Sequence, residues 1–373
     1  MNVICTTNNF GLGPVGKLSS IVNSMPKVNW YGCGEKFDLN IFNKDMLKDC
    51  CWTKDTEVIK LFVEKNNIKI AVVVLDASIA NILLRLGVKV IFVDSLPFMW
   101  TKADAKEGLI PFDVDVYCAQ KCIEIPNEAK LVLGKIKNLN WIDPIRPISL
   151  KRNNNTGKYV VINLGGMHSP IGNGYGYAEC ILEPLLRVIV EEGYSDIIIT
   201  CGTDANKNIT MLIQQMNINE KINVKVSTLI QEDFLDLVNN CELFFTSPGL
   251  TTMYETCSFD KNTIILPPQN ISQFYNIEFA KRLIKNVKTL NWNVKELSFE
   301  DLTPIIHKGE EFVVNEIYIR IEDLKQTDYK QKFEENLKKT LKEEYTEANV
   351  ENMVIFEGNG VETIKNFMEK FND

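Results

Sequence analysis

Short apolar runs rich in Val and Ile recur along this chain, separated by longer segments whose apolar residues repeat with helical period. Strands that are apolar on both faces belong to a parallel sheet covered by helices on each side, so the fold class is α/β and doubly wound. In the first half the clearest strands fall at residues 70–75 and 88–93, with a helix-like stretch 77–86 between them that ends at Gly87. In the second half residues 159–164, 196–200, 223–226 and 242–245 read as strands, and 178–192 and 232–239 as helices. The Asn-rich stretch 151–157 cannot build a core and reads as a linker. With 373 residues, two domains are expected, 1–150 and 151–373, the last helix being free to pack on the first. The mixed-charge stretch 326–347 reads as a solvated helix.

The net charge of -8 argues against nucleic acid or an anionic membrane as partner, because both select basic surfaces. No apolar run is long enough to span a bilayer, and the N-terminus opens directly into a strand-like segment, so a cytoplasmic protein without stable membrane insertion is expected. The 10 cysteines lie scattered in apolar segments without a C-x-x-C pair, as reduced buried thiols do. Cys118 and Cys122 would share a face if their segment were helical, but no histidine lies near them and no metal is expected.

Ligands of open parallel sheets bind beyond the carboxyl ends of the strands, and four such places stand out. The first holds Gly11, Gly13, Gly16 and Lys17, a glycine-rich turn that opens a helix and lets main-chain N–H groups approach an anion. It also fits G-x-x-x-x-G-K, which keeps a phosphate-binding loop and an NTPase as an alternative, although Leu18 stands where that loop needs Ser or Thr. The second is Asn163, Leu164, Gly165, Gly166, Met167 and His168, where glycines admit a diphosphate and His168 is one of only 2 histidines. The third runs from Ser247 through Gly249, Leu250, Thr251 and Thr252 to Glu255 and offers N–H and hydroxyl donors. The fourth carries the amides Gln269, Gln273 and Asn276, suited to sugar hydroxyls.

The third and fourth places together resemble the donor half of GT-B glycosyltransferases, above all the N-acetylglucosaminyltransferase that completes the lipid-linked peptidoglycan precursor. Gly249, Thr252 and Glu255 match that family's G-x-x-T-x-x-E, and Gln269, Gln273 and Asn276 resemble its sugar-contacting segment. The resemblance implies two Rossmann-like domains facing across a cleft, with the C-terminal one holding a UDP-sugar. Ile230 and its neighbours would meet the uracil, Glu255 the ribose hydroxyls, the segment 247–252 the diphosphate, and Gln269 and Gln273 the sugar. The histidine of that family's first glycine loop is absent and Lys17 stands near its place, so a lipid-linked acceptor does not follow.

A further likeness, to cytosylglucuronate synthases of nucleoside-antibiotic pathways, is carried by residues 10–17, 93–100, 117–120 and 163–166, with Leu12 where that family has an aromatic residue. It implies transfer of glucuronate from UDP-glucuronate to cytosine with inversion and without a cofactor. The reaction needs a base, for which Asp94 stands first and Asp76 second, with His168 a further catalytic candidate. Phe98, Trp100 and Gln120 suit a planar acceptor, and Lys17 or His168 the glucuronate carboxylate. A sugar-nucleotide-binding protein without turnover is the non-enzyme alternative. Oligomeric state is not readable from these residues.

Overall fold

A computed structural model describes residues 1–122, 124–147, 157–169, 172–216, 222–259, 261–343 and 356–372. The chain divides into two compact units, residues 1–149 with 356–373, and residues 150–355. Residues 151–156 of the expected linker lie outside the described residues.

The first unit follows the alternation seen in the sequence: β1 (Asn2–Thr7), α1 (Gly13–Asn23), β2 (Asn29–Cys33), β3 (Leu47–Cys51), α2 (Thr56–Lys65), β4 (Ile70–Val74) and α3 (Ala77–Arg85). It continues with β5 (Lys89–Asp94), α4 (Lys102–Glu107), β6 (Val116–Gln120), α5 (Asn127–Leu133) and β7 (Leu139–Ile142). The seven strands are parallel in the order β3-β2-β1-β4-β5-β6-β7. Side chains alternate between two cores. Val72, Val74, Ile91, Val93 and Cys118 face one together with Val15 and Leu18 of α1. Ala71, Val73, Phe92 and Tyr117 face the other together with Ile59 of α2 and Ile79 of α3. Burial on both faces is why these strands read as unbroken apolar runs.

Cys118 lies in β6 and Cys122 beyond its end, so they share no helix. That segment's Val, Tyr and Cys residues fill both faces of a strand instead. All 10 cysteines are free, and among the described residues no group of His, Cys, Asp and Glu could hold a metal ion. Nor is any described helix long and apolar enough to cross a membrane.

In the second unit the elements are β8 (Val160–Asn163), β9 (His168–Ser169), β10 (Gly172–Asn173), α6 (Tyr175–Glu191), β11 (Asp196–Thr200), α7 (Thr203–Gln215), β12 (Asn223–Ser227) and α8 (Gln231–Asn240). They continue with β13 (Leu243–Thr246), α9 (Leu250–Thr256), β14 (Asn262–Ile265), α10 (Ile271–Leu283), β15 (Val287–Thr289), α11 (Phe299–Leu302), α12 (Glu310–Leu324) and α13 (Tyr329–Lys342). Six parallel strands run in the order β12-β11-β8-β13-β14-β15, and β9 and β10 form a separate antiparallel pair.

Residues 344–347 of the stretch expected to be a solvated helix lie outside the described residues; its described part holds α13, one of whose faces is core. Tyr329, Phe333 and Leu337 are buried at i, i+4 and i+8, while Glu334, Lys330 and Lys338 pair with Arg187, Glu183 and Glu191 of α6. The high density of charge hid a narrow apolar stripe. The chain then returns to the first unit with α14 (Gly360–Asn372), whose Val361, Ile364 and Met368 join the α1-side core.

Candidate functional site

A doubly wound sheet opens a crevice where the strand order reverses, because successive connections there leave in opposite directions. In the second unit the chain runs from β8 out to β12 and comes back to place β13 on the other side of β8. Two of the sequence-selected loops follow these two strands. Asn163, the last residue of β8, ties them together: its Nδ2 donates to Thr246 Oγ1 at 3.0 Å, its carbonyl accepts from Ser247 N at 2.9 Å, and its Oδ1 accepts from Gly165 N at 3.1 Å. Gly165 has φ +70, and a Cβ there would lie 3.1 Å from Ser247 Oγ, so only glycine fits without a shift. Gly166 follows, and Met167 adopts φ +53, a left-handed conformation unusual for a side-chain-bearing residue. His168 enters β9, but its side chain lies outside the described residues.

After β13 the chain turns at Ser247 and starts α9 at Leu250 with Gly249 as N-cap, so no side chain caps that end. Asn276 of α10 holds the turn through a 2.8 Å bond from Nδ2 to the Pro248 carbonyl. Thr251 and Glu255 are buried and Thr252 is half-buried. Glu255 is 8% exposed, and its Oε1 accepts a short 2.5 Å bond from Gln231 Nε2. Gln231 opens α8 directly after Ile230, its extended N-cap residue, so the segment expected to meet a base delivers a side chain to the residue expected to meet a ribose. The Gln273 side chain turns back to the Gln269 main chain, its Oε1 accepting from Gln269 N at 2.8 Å, and the Gln269 side chain turns away, its Nε2 donating to the Leu164 carbonyl at 2.9 Å.

The order of the first sheet reverses at β1 and β4. Gly11 follows β1 with φ +64 and Asp76 follows β4 after Leu75, which has φ +57. The helix begins at Gly13, so Gly16 lies inside it with its N–H donated to the Leu12 carbonyl. Lys17 lies in the second turn, only 1% exposed, and its Nζ donates to Gln120 Oε1 at 3.0 Å. A phosphate-binding loop needs its lysine at the loop's mouth, and here the lysine is packed inside. Gln120 Oε1 also accepts from Ile145 N, while its Nε2 has no hydrogen-bond partner among the described residues.

Asp94 and Gln120 end β5 and β6 but fall on opposite faces of the sheet, as the alternation of Phe92 and Tyr117 with Val93 and Cys118 between the two cores requires. Asp94 is 0% exposed. Its Oδ2 accepts from Trp100 Nε1 at 2.7 Å and Tyr117 Oη at 2.8 Å, and its Oδ1 from Leu96 N at 2.9 Å. These bonds fix the turn that carries buried Phe98 and half-buried Trp100. Asp76 is also buried and caps α3 by accepting from Ile79 N at 3.1 Å. Asp94 and Trp100 are thus brought together, and Lys17 and Gln120 together, but not the two pairs with one another. Asn163 and Tyr117 stand in segments singled out in the sequence, but their bonding roles, and that of Gln231 at the start of α8, carry no signal in spacing because each partner lies on a separate element.

Burial pushes the Asp94 carboxyl up from 3.8 to about 6, against the pull of its Trp100, Tyr117 and Leu96 donors. The folded state therefore binds this proton more tightly than the unfolded chain. Asp94's contribution to stability is full below about pH 4 and falls as pH rises through about 6. Asp94→Asn removes that dependence. The stability of wild type relative to D94N, measured by chemical denaturation, is expected to rise by roughly 2 kcal/mol from pH 7.5 to pH 4. A gap that stays flat would show that the carboxyl titrates in its ordinary range.

Comparison with solved structures shows what this pair of units is similar to. The UDP-GlcNAc 2-epimerase of Methanocaldococcus jannaschii, in complex with UDP-GlcNAc and UDP, matches 99% of this chain and 100% of its own at 14% identity and a TM-score of 0.56. MnaA of S. aureus with UDP matches 100% of this chain and 97% of its own at 13% identity and a TM-score of 0.53. MurG of Acinetobacter baumannii covers 91% of this chain at 11% identity and a TM-score of 0.46. No family model matches the sequence, and no curated protein matches it. At these identities the likeness is one of fold: two parallel Rossmann-like sheets of 7 and 6 strands in a GT-B-like arrangement of the chain.

Proposed function

We propose that this protein is a UDP-sugar enzyme whose nucleotide is held at the β8/β13 edge of the second unit. The observation that carries the reading is a pair of hydrogen-bonded groups beyond β8 and β13, Asn163 with Gly165 and Ser247, and Gln231 with Glu255. Each part matches one part of a UDP-sugar. Glu255, already a hydrogen-bond acceptor for Gln231, has the chemistry to accept from ribose hydroxyls, and the main chain at Ile230 can meet the uracil. The turn Ser247 to Thr252 and the glycines Gly165 and Gly166 allow main-chain N–H groups to approach a diphosphate, where they would stabilise charge growing on a leaving UDP.

In the finer reading the enzyme is an inverting glycosyltransferase that moves glucuronate to cytosine at the strand ends of the first unit. The acceptor nitrogen would form a bond to the anomeric carbon as the bond to UDP breaks, and its proton would pass to a base. Asp94, sealed under Trp100 and Tyr117, suits the role of holding the Phe98–Trp100 turn. Asp76, beside the strained Leu75 at the strand reversal, is then the better placed base. The full-length likeness in fold to a UDP-GlcNAc 2-epimerase favours a second reading, inversion at C2 of a UDP-N-acetylhexosamine.

Calorimetry with UDP in the presence of a chelator tests the shared part, and a dissociation constant in the micromolar range is expected. Mass spectrometry and NMR of incubations with UDP-glucuronate plus cytosine, and with UDP-GlcNAc alone, separate the two reactions. A cytosine–sugar adduct supports transfer and a C2-inverted sugar supports epimerisation. Absence of any uridine-nucleotide binding would overturn both.

A further inference from the structure

Resemblance assigns Gln269 to the sugar, but its hydrogen bonds point elsewhere. The side chain is 4% exposed, and its Nε2 donates to the Leu164 carbonyl at 2.9 Å. Its own N–H is taken by Gln273 Oε1 at 2.8 Å, which fixes the base of the side chain. Its Oε1 lies 3.5 Å from the place where a Cβ on Gly174 would stand, so the far end of the amide rests against Gly174. Leu164 precedes the 165–167 turn and Gly174 follows β10. The turn holds Gly165 at φ +70 and Met167 at φ +53, and Gly174 N reaches back to donate to the Met167 carbonyl at 2.9 Å. Leu164 N is held as well, by the Thr200 carbonyl at 2.9 Å.

A left-handed residue that carries a side chain persists only where its surroundings over-determine it. Among the described residues, the Gln269 side chain comes from another element and meets both sides of this turn, at the Leu164 carbonyl and at Gly174. We infer that Gln269 is a positioning residue that holds the 165–167 turn in its strained form for a diphosphate, and is not a ligand of the sugar. The inference rests on the UDP-sugar reading for what the loop binds, but not for what Gln269 does to the loop.

The two roles differ in what they discriminate. A sugar ligand matters to UDP-GlcNAc and not to UDP, whereas a loop brace matters to both alike, because the diphosphate is what they share. Gln269→Leu keeps the buried volume and removes the donor. Calorimetry on the full chain is expected to show about a tenfold loss of affinity for UDP and the same loss for UDP-GlcNAc, about 1.4 kcal/mol in each. Hydrogen exchange at the amides of Gly165, Gly166 and Met167 in the unliganded protein should speed up at least tenfold, while the amides of β8 stay protected and global stability falls by only the cost of one orphaned buried carbonyl. Gln269→Met, which likewise has no donor for the Leu164 carbonyl and adds no charge, should behave in the same way. Loss confined to UDP-GlcNAc, or unchanged exchange at the turn, overturns the inference. If the wild type binds neither nucleotide the functional reading fails, and the exchange rates still decide the role of Gln269.

Discussion

Glu255→Ala is expected to weaken UDP binding by between tenfold and a hundredfold while leaving the protein folded. A hydrogen bond to a charged group contributes roughly 1.5–3 kcal/mol, and a factor of ten in affinity is about 1.4 kcal/mol, so loss of the carboxylate from a ribose sets that range. Alanine is a good helix former and Glu255 lies within α9, so the backbone has no reason to change. The buried Gln231 amide loses its 2.5 Å acceptor in the variant, which costs about 1–3 kcal/mol of folding stability. Gln231→Ala should in turn weaken UDP binding less than E255A does, because Gln231 acts on the nucleotide through Glu255. Calorimetry with UDP beside a thermal melt separates the two effects. Unchanged affinity in E255A would remove Glu255 from the site and with it the main support for a uridine nucleotide.

The sheets were legible because a parallel strand buried on both faces must be apolar throughout. The expected strand 196–200 is β11 in full, and the expected 70–75 is β4 plus Leu75, which leaves the sheet in a left-handed turn. That turn could not be read, since nothing in a leucine announces φ +57. Burial of charge was equally hidden. Lys17 reads as a cation facing a ligand because it follows glycines, yet α1 is buried from Pro14 to Val22 and draws the lysine inside, where its partner lies 103 residues away.

Sequence separation also hides the pairing of Gln231 with Glu255, 24 residues apart, and of Gln269 with Leu164, 105 apart. Spacing along a helix or a motif exposes residues that share a face, such as Gly249, Thr252 and Glu255. It says nothing of residues that parallel strands bring to one sheet edge through separate connections. The Glu255 motif was therefore readable as a motif, and its hydrogen-bonded setting was not. Asp94 shows the opposite case: its place after a strand marks it as a catalytic candidate, and its three donors are what give it a bracing task.

Loss of α14 is expected to unfold the first unit. Val361, Ile364 and Met368 are buried against Val15, Leu18, Ile91, Val93 and Ile142 in one core. Burial of three such side chains stabilises by about 5–9 kcal/mol as an upper figure, within the roughly 5–15 kcal/mol by which whole domains are stable. The approach is also held by hydrogen bonds: Arg146 Nη2 donates to the carbonyls of Phe356 at 3.1 Å and Gly358 at 2.8 Å, and Asn359 Nδ2 donates to the Arg146 carbonyl at 2.8 Å. Gly360 N meets the Pro144 carbonyl at 3.2 Å, and a Cβ there would fall 2.3 Å from the Asp143 carbonyl, so the segment seats only as glycine. A chain cut after residue 355 should lose the near-ultraviolet signal of Trp30, Trp52, Trp100 and Trp141, while Trp292 in the second unit and UDP binding persist. Ile364→Ala is the graded form, expected to lower the first unit's unfolding free energy by about 2–5 kcal/mol in urea. A loss under about 1 kcal/mol, or a second unit that unfolds with the first, would mean that α14 is not what completes this core.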